Sequence, residues 1–267
     1  MILTAENYYT READNYFMSV SQYKKFMDCE FSTVAWLKGE YDPEPTTAML
    51  EGSYVHAWND GTLDQFEAEH PKMYSSQGKT KGELKSNFQH CNEMIDTLAN
   101  DPQVMHYLQG NKEVPLSAEM FGIPWKIKID VDNQDQNYLL DLKTTKSIYE
   151  KNWSDKIGKY VSFIDFYEYM IQVAVYSEVE RLARGRDKWK DFYCVAVSKE
   201  KVPDHAIIDL TDHDRVREEL GKIQSNITRI IMVKNGVVKP HRCEKCDYCR
   251  TTKKIDQMIH YSELLTV

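Results

Sequence analysis

The sequence has no apolar run that approaches the ~20 residues needed to span a bilayer, so we expect no transmembrane helix. Residues 1–7 lack both the basic start and the apolar stretch of a secretory signal. Six cysteines without such a signal indicate a reducing, cytoplasmic compartment, where metal binding is commoner than disulfide formation. The sequence also lacks repeats, low-complexity segments and any long linker.

Basic residues are outnumbered by acidic ones, and the net charge is −8. This balance argues weakly against a nucleic-acid partner, but phosphate attraction depends on local patches. Two basic patches occur, one over residues 181–190 and one interleaved with the C-terminal cysteines: Arg242, Lys245, Arg250, Lys253 and Lys254. Each is equally consistent with a solvated face.

What is present is ordinary for a folded protein with a core: 267 residues, 42% hydrophobic and 12% aromatic. This length fits one large domain or two small ones. We predict one domain over residues 1–267. Within it we expect an N-terminal helical extension (1–78), an αβββαβ core (79–235) and a Cys-rich tail (236–267).

Hydrophobic spacing predicts the elements. Predicted helices cover 19–37, where Ser19 and Gln22 fit a capping box, and 46–59, 83–108, 161–182 and 211–233. Predicted strands cover 113–121, 123–132, 138–144, 192–197 and 205–210, with a turn near Gly122. The distance between the third and fourth strands suits a helical crossover.

Asp141 and Lys143 lie two apart on the third predicted strand, so their side chains share one face, about 7 Å apart. Asp130 lies on the neighbouring strand. Two such carboxylates can share Mg²⁺, and a nearby lysine can serve the attacking water and stabilise charge on a phosphate. The motif alone is weak, because Glu83-Leu84-Lys85 matches it within a helical segment. An exposed ion pair on the sheet is the alternative.

Residues 127–130 and 139–146 resemble the PD-(D/E)XK nuclease superfamily, above all the RecB-like and RecE-like exonucleases of phage-type recombination. Ile129 stands where the superfamily often has proline. The resemblance implies an α/β restriction-endonuclease-like fold, a mixed sheet flanked by helices. It also implies Mg²⁺ or Mn²⁺ held by Asp130 and Asp141, with Lys143 serving the attacking water.

Two further pieces resemble the same superfamily. Gly52 and His56 match an upstream helical Gly-x-x-x-His whose histidine contributes to the metal site, although a lone helical histidine is often structural. Gln172 and Tyr176 match a Gln-x-x-x-Tyr on the helix after the third strand. There they would line the site and touch DNA, unless that helix is simply amphipathic core.

A glutamate on the strand before Asp130 joins the metal site in some relatives. Glu113 fills this role if the hairpin turns at residues 121–122, because it then lies opposite Asp130. Glu119 is the competing choice, and a slipped register would favour it.

Three cysteines near the C-terminus, Cys243, Cys246 and Cys249, are too closely spaced for common structural zinc sites, which offer two separated pairs. Their spacing resembles the compact run that holds a [4Fe–4S] cluster. Iron–sulfur members of the RecB-like branch, AddB among them, have one such cysteine before the nuclease core and three after it, which makes Cys29 the fourth ligand. A zinc ion with four thiolates and a set of reduced thiols are the alternatives. Cys91 and Cys194 are expected in the core.

The favoured function is therefore a metal-dependent DNA exonuclease of phage or prophage recombination, acting in the cytoplasm of a bacterial host. A single-strand annealing protein is a possible partner, and a homo-oligomer is possible. The alternatives are a non-catalytic DNA- or protein-binding module on the same fold and a redox-sensing iron–sulfur protein.

Overall fold

The fold, seen in a computed structural model that describes residues 1–255 and 258–263, is mixed α/β. Its main sheet has the order β1-β2-β3-β6-β7, and β4 pairs with β5 in a small separate sheet. The strands are β1 (Asn111–Met120), β2 (Ile123–Asn133), β3 (Tyr138–Thr145), β4 (Asn152–Ser154), β5 (Lys159–Val161), β6 (Asp191–Ser198) and β7 (His205–Asp209).

Helices cover much of the remaining described chain. They are α1 (Arg11–Tyr16), α2 (Val20–Asp28), α3 (Glu30–Lys38), α4 (Thr47–Asp60), α5 (Leu63–Glu69), α6 (Ser86–Ala99), α7 (Pro102–Tyr107), α8 (Phe163–Phe166), α9 (Tyr169–Arg184), α10 (His213–Lys234) and α11 (Asp247–Thr251). Among the described residues, no helix is both long and apolar enough to cross a membrane.

The β1–β2 hairpin has the predicted turn. Met120 pairs with Ile123, which leaves Phe121 and Gly122 as a two-residue loop. Both have positive φ, 56° and 79°, the conformation whose twist matches that of the flanking strands. Strands β3 and β6 are parallel, so the predicted crossover between them is confirmed.

Three predicted helices are interrupted, each for a local reason. The helix predicted over 19–37 breaks at Cys29, which has an extended backbone and caps the N-terminus of α3. The helix predicted over 83–108 breaks at Asp101, whose carboxylate caps α7 ahead of a proline at the first helical position. The predicted helix over 161–182 is wrong at its start, because Ser162 caps the short α8 and Glu168 has a positive φ of 53° before α9 begins.

The chain forms two compact units. The large unit comprises residues 1–20 and 44–226, and the small unit comprises 21–43 and 227–267, of which 256–257 and 264–267 lie outside the described residues. In the core of the large unit, α4 packs against β3, and α6 packs against α4 and β6, through buried residues such as Val55, Leu98, Leu140 and Leu142. In the small unit, Arg229 pairs with Glu30 at 2.7 Å, and the rings of Phe31 and Tyr248 lie 5.1 Å apart. The prediction of one domain over residues 1–267, made of an extension, a core and a tail, stays a prediction.

Candidate active site and cysteine centre

Strand β3 presents Asp141 and Lys143 on the face opposite its core side chains. Leu140 and Leu142 point into the core of the large unit, so the alternating positions must point the other way. Asp141 Oδ2 lies 2.6 Å from Lys143 Nζ, and both side chains are largely buried. The buried leucines therefore fix the direction of the two functional groups.

Asp130 enters the site from β2, just beyond the last paired residues of β2 and β3, Val131 and Leu140. Where the strand pairing stops, Asp130 Oδ2 accepts a 2.8 Å hydrogen bond from the backbone N–H of Leu142. The side chain of Asp130 thus replaces a backbone acceptor of the sheet. The two strands separate at this point, and their carboxylates face a common space.

Burial sets the charge balance of this space. It raises the pKa of Asp130 to about 7, with His56 lowering it and Asp141 raising it further. Burial alone would lower the pKa of Lys143, but Asp141 and Asp130 raise it above its ordinary value. Lys143 is therefore a cation at neutral pH and acts as a hydrogen-bond donor.

Helix α4 brings His56 to the site. A Cβ on Gly52 would lie 3.4 Å from Thr144 Oγ1, so the helix approaches β3 closely at this glycine. One turn later, His56 Nδ1 lies 3.6 Å from Asp130 Oδ2. The predicted Gly-x-x-x-His spacing thus delivers the imidazole to the carboxylate.

Glu113 is the glutamate that the register places beside Asp130. Its neighbours Lys112 and Val114 pair with Val131 and Ile129, and Glu113 itself has a positive φ of 51° that interrupts the ladder. Ligand atoms of His56, Glu113 and Asp130 all lie within 4.8 Å of one another. Glu119 pairs with Pro124 instead, about 20 Å further along the strand at ~3.3 Å per residue.

Two residues at this edge escaped the sequence reasoning. Lys128 forms an ion pair with the Glu113 carboxylate, and its ammonium lies 4.7 Å from the centre of the Tyr9 ring. The signal for Lys128 was available, since it alternates with Asp130 on β2 and so shares its face. Tyr9 comes from a distant part of the chain and had no local signal.

Helix α9 covers the site with one face, made of Tyr169, Gln172 and Tyr176 at spacings of three and four residues. Gln172 Nε2 donates a 2.6 Å hydrogen bond to Asp141 Oδ1. Burial, then the nearby Tyr8, Asp130 and Asp141, raise the pKa of Tyr176 well above its ordinary value. Tyr169, which the sequence reasoning missed, places its ring centre 5.2 Å from Lys143 Nζ.

Asp141 is held differently from the other carboxylates. Its two oxygens accept hydrogen bonds from Gln172 and Lys143, and it lies outside the group formed by His56, Glu113 and Asp130. An ionised carboxylate has about four lone-pair sites, so these two bonds leave capacity for a cation. The donor set of imidazole and carboxylates fits a small divalent ion such as Mg²⁺ or Mn²⁺.

The four predicted cysteines come together within the small unit. Their sulfurs all lie within 4.8 Å of one another, with Cys29 Sγ 3.6 Å and Cys243 Sγ 3.9 Å from Cys249 Sγ. Backbone N–H groups point at the sulfurs: that of Ser32 at Cys29, that of Cys246 at Cys243 and that of Cys249 at Cys246. Burial raises the pKa of the Cys29 thiol, but hydrogen bonds with Ser32 and Cys243 outweigh burial and lower the pKa to about 6.

The sulfur spacing can be compared with the two candidate centres. Four thiolates at ~2.3 Å around one tetrahedral ion are about 3.8 Å apart, which matches the observed 3.6 and 3.9 Å. A [4Fe–4S] cluster places a separate iron under each thiolate, so it needs wider spacing. The residues as arranged fit a single ion. Cys91 and Cys194 are fully buried elsewhere, as expected.

Comparisons with known proteins identify the family of this chain. The family model described as "PDDEXK-like domain of unknown function (DUF3799)" matches residues 19–252. The chain belongs to this PDDEXK-like family. The predicted superfamily and fold class are thereby confirmed, whereas the RecB-like, RecE-like and iron–sulfur branches stay predictions.

Solved structures include one similar to this PDDEXK-like chain along its whole length. It is the crystal structure of a "Putative exonuclease" from Eubacterium rectale, 38% identical, which aligns over 99% of this chain and 98% of its own with a TM-score of 0.91. A second structure, SSO0001, aligns over 82% of this chain and 91% of its own with 14% identity and a TM-score of 0.29. No curated protein matches the chain.

Proposed function

We propose that this protein is a metal-dependent DNA exonuclease. The observation that carries the proposal is the convergence, from three strands and one helix, of Asp130, Asp141, Lys143, His56 and Glu113 on one space. The similarity to the crystal structure named "Putative exonuclease" supports the same reaction class. The family model supports a nuclease fold.

His56, Glu113 and Asp130 would hold the divalent ion, Mg²⁺ or Mn²⁺, with Asp141 completing the carboxylate set. When bound, such an ion supplies charge stabilisation for the phosphate and acidifies a water molecule. Asp130 is suited to this role because its backbone hydrogen bond fixes its direction while leaving its other oxygen available.

Lys143 would orient the attacking water and stabilise the charge that develops on the phosphate. Its ammonium is held between Asp141 and the Tyr169 ring, so its position is fixed before substrate arrives. Gln172 holds the Asp141 carboxylate, and Gln172 and Tyr176 together form the α9 face against which DNA would be positioned.

The exonuclease assignment is tested with DNA labelled at its ends. We expect linear DNA to release label in the presence of Mg²⁺ and closed circular DNA to stay intact. Cleavage of the circle would indicate an endonuclease. Absence of cleavage together with retained DNA binding would indicate a non-catalytic binding module. We further propose a cytoplasmic role in phage or prophage recombination, with a single-strand annealing protein or a second copy of the chain as possible partners.

For the cysteine centre, we propose a structural metal that joins the start of α3 to the C-terminal Cys-rich segment. Of the two alternatives, the sulfur spacing supports zinc over a [4Fe–4S] cluster. Anaerobic purification followed by zinc, iron and sulfide analysis tests this. One zinc per chain with no sulfide is expected, whereas about four iron and four sulfide per chain would establish the cluster and a redox role.

A further inference from the structure

Between β3 and α9 the chain exposes a dense group of aromatic rings. Of the eight exposed aromatic side chains among the described residues, five lie in this segment: Tyr149, Trp153, Tyr160, Phe166 and Tyr167. We call these five the aromatic platform. Rings bury favourably, so a concentration of exposed ones indicates a surface that meets another molecule.

Three of the five platform residues lie on regular elements: Trp153 on β4, Tyr160 on β5 and Phe166 on α8. Trp153 and Tyr160 are paired across β4 and β5, with their ring centres 5.3 Å apart in an edge-to-face arrangement. Trp153 Nε1 donates a 2.9 Å hydrogen bond to Asp155. Helix α8 packs on both strands and carries Phe166, whose ring lies 5.1 Å from that of Tyr167. Three of the five rings therefore stand on regular elements and Tyr167 packs against one of these rings, whereas Tyr149 lies in the loop before β4.

A path of rings connects the platform to the proposed active site. The Tyr167 ring lies 5.8 Å from that of Tyr169, and Tyr169 in turn contacts Lys143. A 3.0 Å ion pair between Lys156 and Glu168 ties the β4–β5 hairpin to the residue that precedes α9. The platform thus begins beside the group that would act on the scissile phosphate.

The segment that carries the platform lacks the acidic excess of the whole chain, and lysines alternate with its rings. Residues 146–168, which carry all five rings, hold four lysines (146, 151, 156 and 159) and four acidic residues (150, 155, 165 and 168), so their net charge is zero, against −8 for the whole chain. Lysines interleaved with exposed rings are the combination that binds a phosphate backbone and its bases together.

We propose that the aromatic platform stacks the unpaired bases of a single-stranded DNA end and feeds its backbone to the active site. The inference rests on the proposed nuclease function and narrows its substrate. Bases within a duplex are already stacked on one another, so only unpaired bases offer free faces to the rings. The substrate class is therefore single-stranded DNA or a frayed or overhanging duplex end.

The test measures binding without cleavage. Fluorescein-labelled oligothymidylate and a blunt duplex are titrated with protein in EDTA and followed by anisotropy. Changing Trp153→Ala together with Tyr160→Ala should weaken oligothymidylate binding about tenfold or more, with little effect on the duplex. Changing both to Phe should retain most of the affinity. Tyr16→Ala, which removes a similarly exposed ring from α1, is the matched control.

The outcomes separate this inference from the nuclease proposal. If the wild type and the double Ala variant bind oligothymidylate equally well, the proposal that these rings bind single-stranded DNA is refuted, even if the wild type hydrolyses DNA. Unchanged affinity with a smaller species on size-exclusion chromatography would assign the rings to a contact between copies, which also overturns it. Ring-dependent binding without any hydrolysis in Mg²⁺ would instead sink the nuclease proposal alone. Thermal melts of each variant verify folding.

Discussion

The backbone N–H of Leu142 donates a 2.8 Å hydrogen bond to the carboxylate of Asp130. Asp130 therefore has two separable roles: its carboxylate accepts a hydrogen bond within the sheet, and it is a charged ligand in the proposed metal site. Asp130→Asn keeps an acceptor oxygen and removes the charge. It should therefore fold normally, yet bind Mn²⁺ at least about tenfold more weakly in calorimetric titration, because a charged ligand is lost.

Comparing Asp130→Ala with Asp130→Asn separates the two roles. Asp130→Ala also removes the acceptor, so the buried Leu142 N–H is left unpaired at a cost of about 1–3 kcal/mol in the free energy of unfolding. We expect chemical denaturation in EDTA to show this loss for Ala and not for Asn. Asp135→Asn, in the β2–β3 turn, serves as the surface control. Wild-type Mn²⁺ affinity in Asp130→Asn would refute the ligand assignment.

Glu113 and Glu119 provide a matched pair, since both lie on β1 and only Glu113 meets His56 and Asp130. Glu113→Gln should lower Mn²⁺ affinity, whereas Glu119→Gln should leave it unchanged within about twofold. Calorimetric titration of both variants makes the comparison. If Glu119→Gln has the larger effect, the β1–β2 register described above is not the one that binds metal.

Metal binding should also depend on pH through Asp130. Burial raises the pKa of this carboxyl to about 7, so a proton competes with the cation near neutrality. Mn²⁺ affinity should therefore rise between about pH 6 and 8. In EDTA, where no metal is bound, folding stability should change with pH in the opposite direction to Mn²⁺ affinity. The folded pKa of Asp130 is higher than its unfolded pKa of about 3.9, so its contribution to stability is complete below about pH 3.9 and is lost as the pH rises through about 7. The pH dependence of affinity should flatten in Asp130→Asn; an equally steep profile would assign it to another group.

The cysteine centre should stabilise the small unit. Cys29 is more than two hundred residues from the other three ligands in sequence, so a shared metal closes a very long loop and couples binding to folding. Cys29→Ser should lower metal content and the melting temperature, with activity falling only as a consequence. Cys91→Ser, at a buried cysteine that hydrogen-bonds to Asn87, is the control. Full metal content in Cys29→Ser would exclude Cys29 as a ligand.

The parts of the fold that follow from local pattern were predictable. Alternation on β2 and β3 placed Asp130, Asp141 and Lys143 on strands, whereas His56 and Gln172 became candidates only through the resemblance to the PD-(D/E)XK superfamily. The breaks at Cys29 and Glu168 were missed because each depends on one residue's backbone conformation inside an apolar pattern that continues across it. Tyr9 could not be predicted at all, since tertiary packing alone brings it to Lys128.

The most direct test of the account is the effect of Lys143→Ala on hydrolysis of end-labelled linear DNA. Removing the ammonium should reduce the rate by at least about 10²-fold in saturating Mg²⁺, because its charge is needed in the transition state. The variant should still fold, with a lower melting temperature because the buried Asp141 loses its partner. Lys85→Ala, from the matching Glu83-Leu84-Lys85 triplet outside the site, should hydrolyse DNA at the wild-type rate, and EDTA should stop hydrolysis in both active proteins. A wild-type rate in Lys143→Ala would contradict the assignment of this site as the nuclease centre.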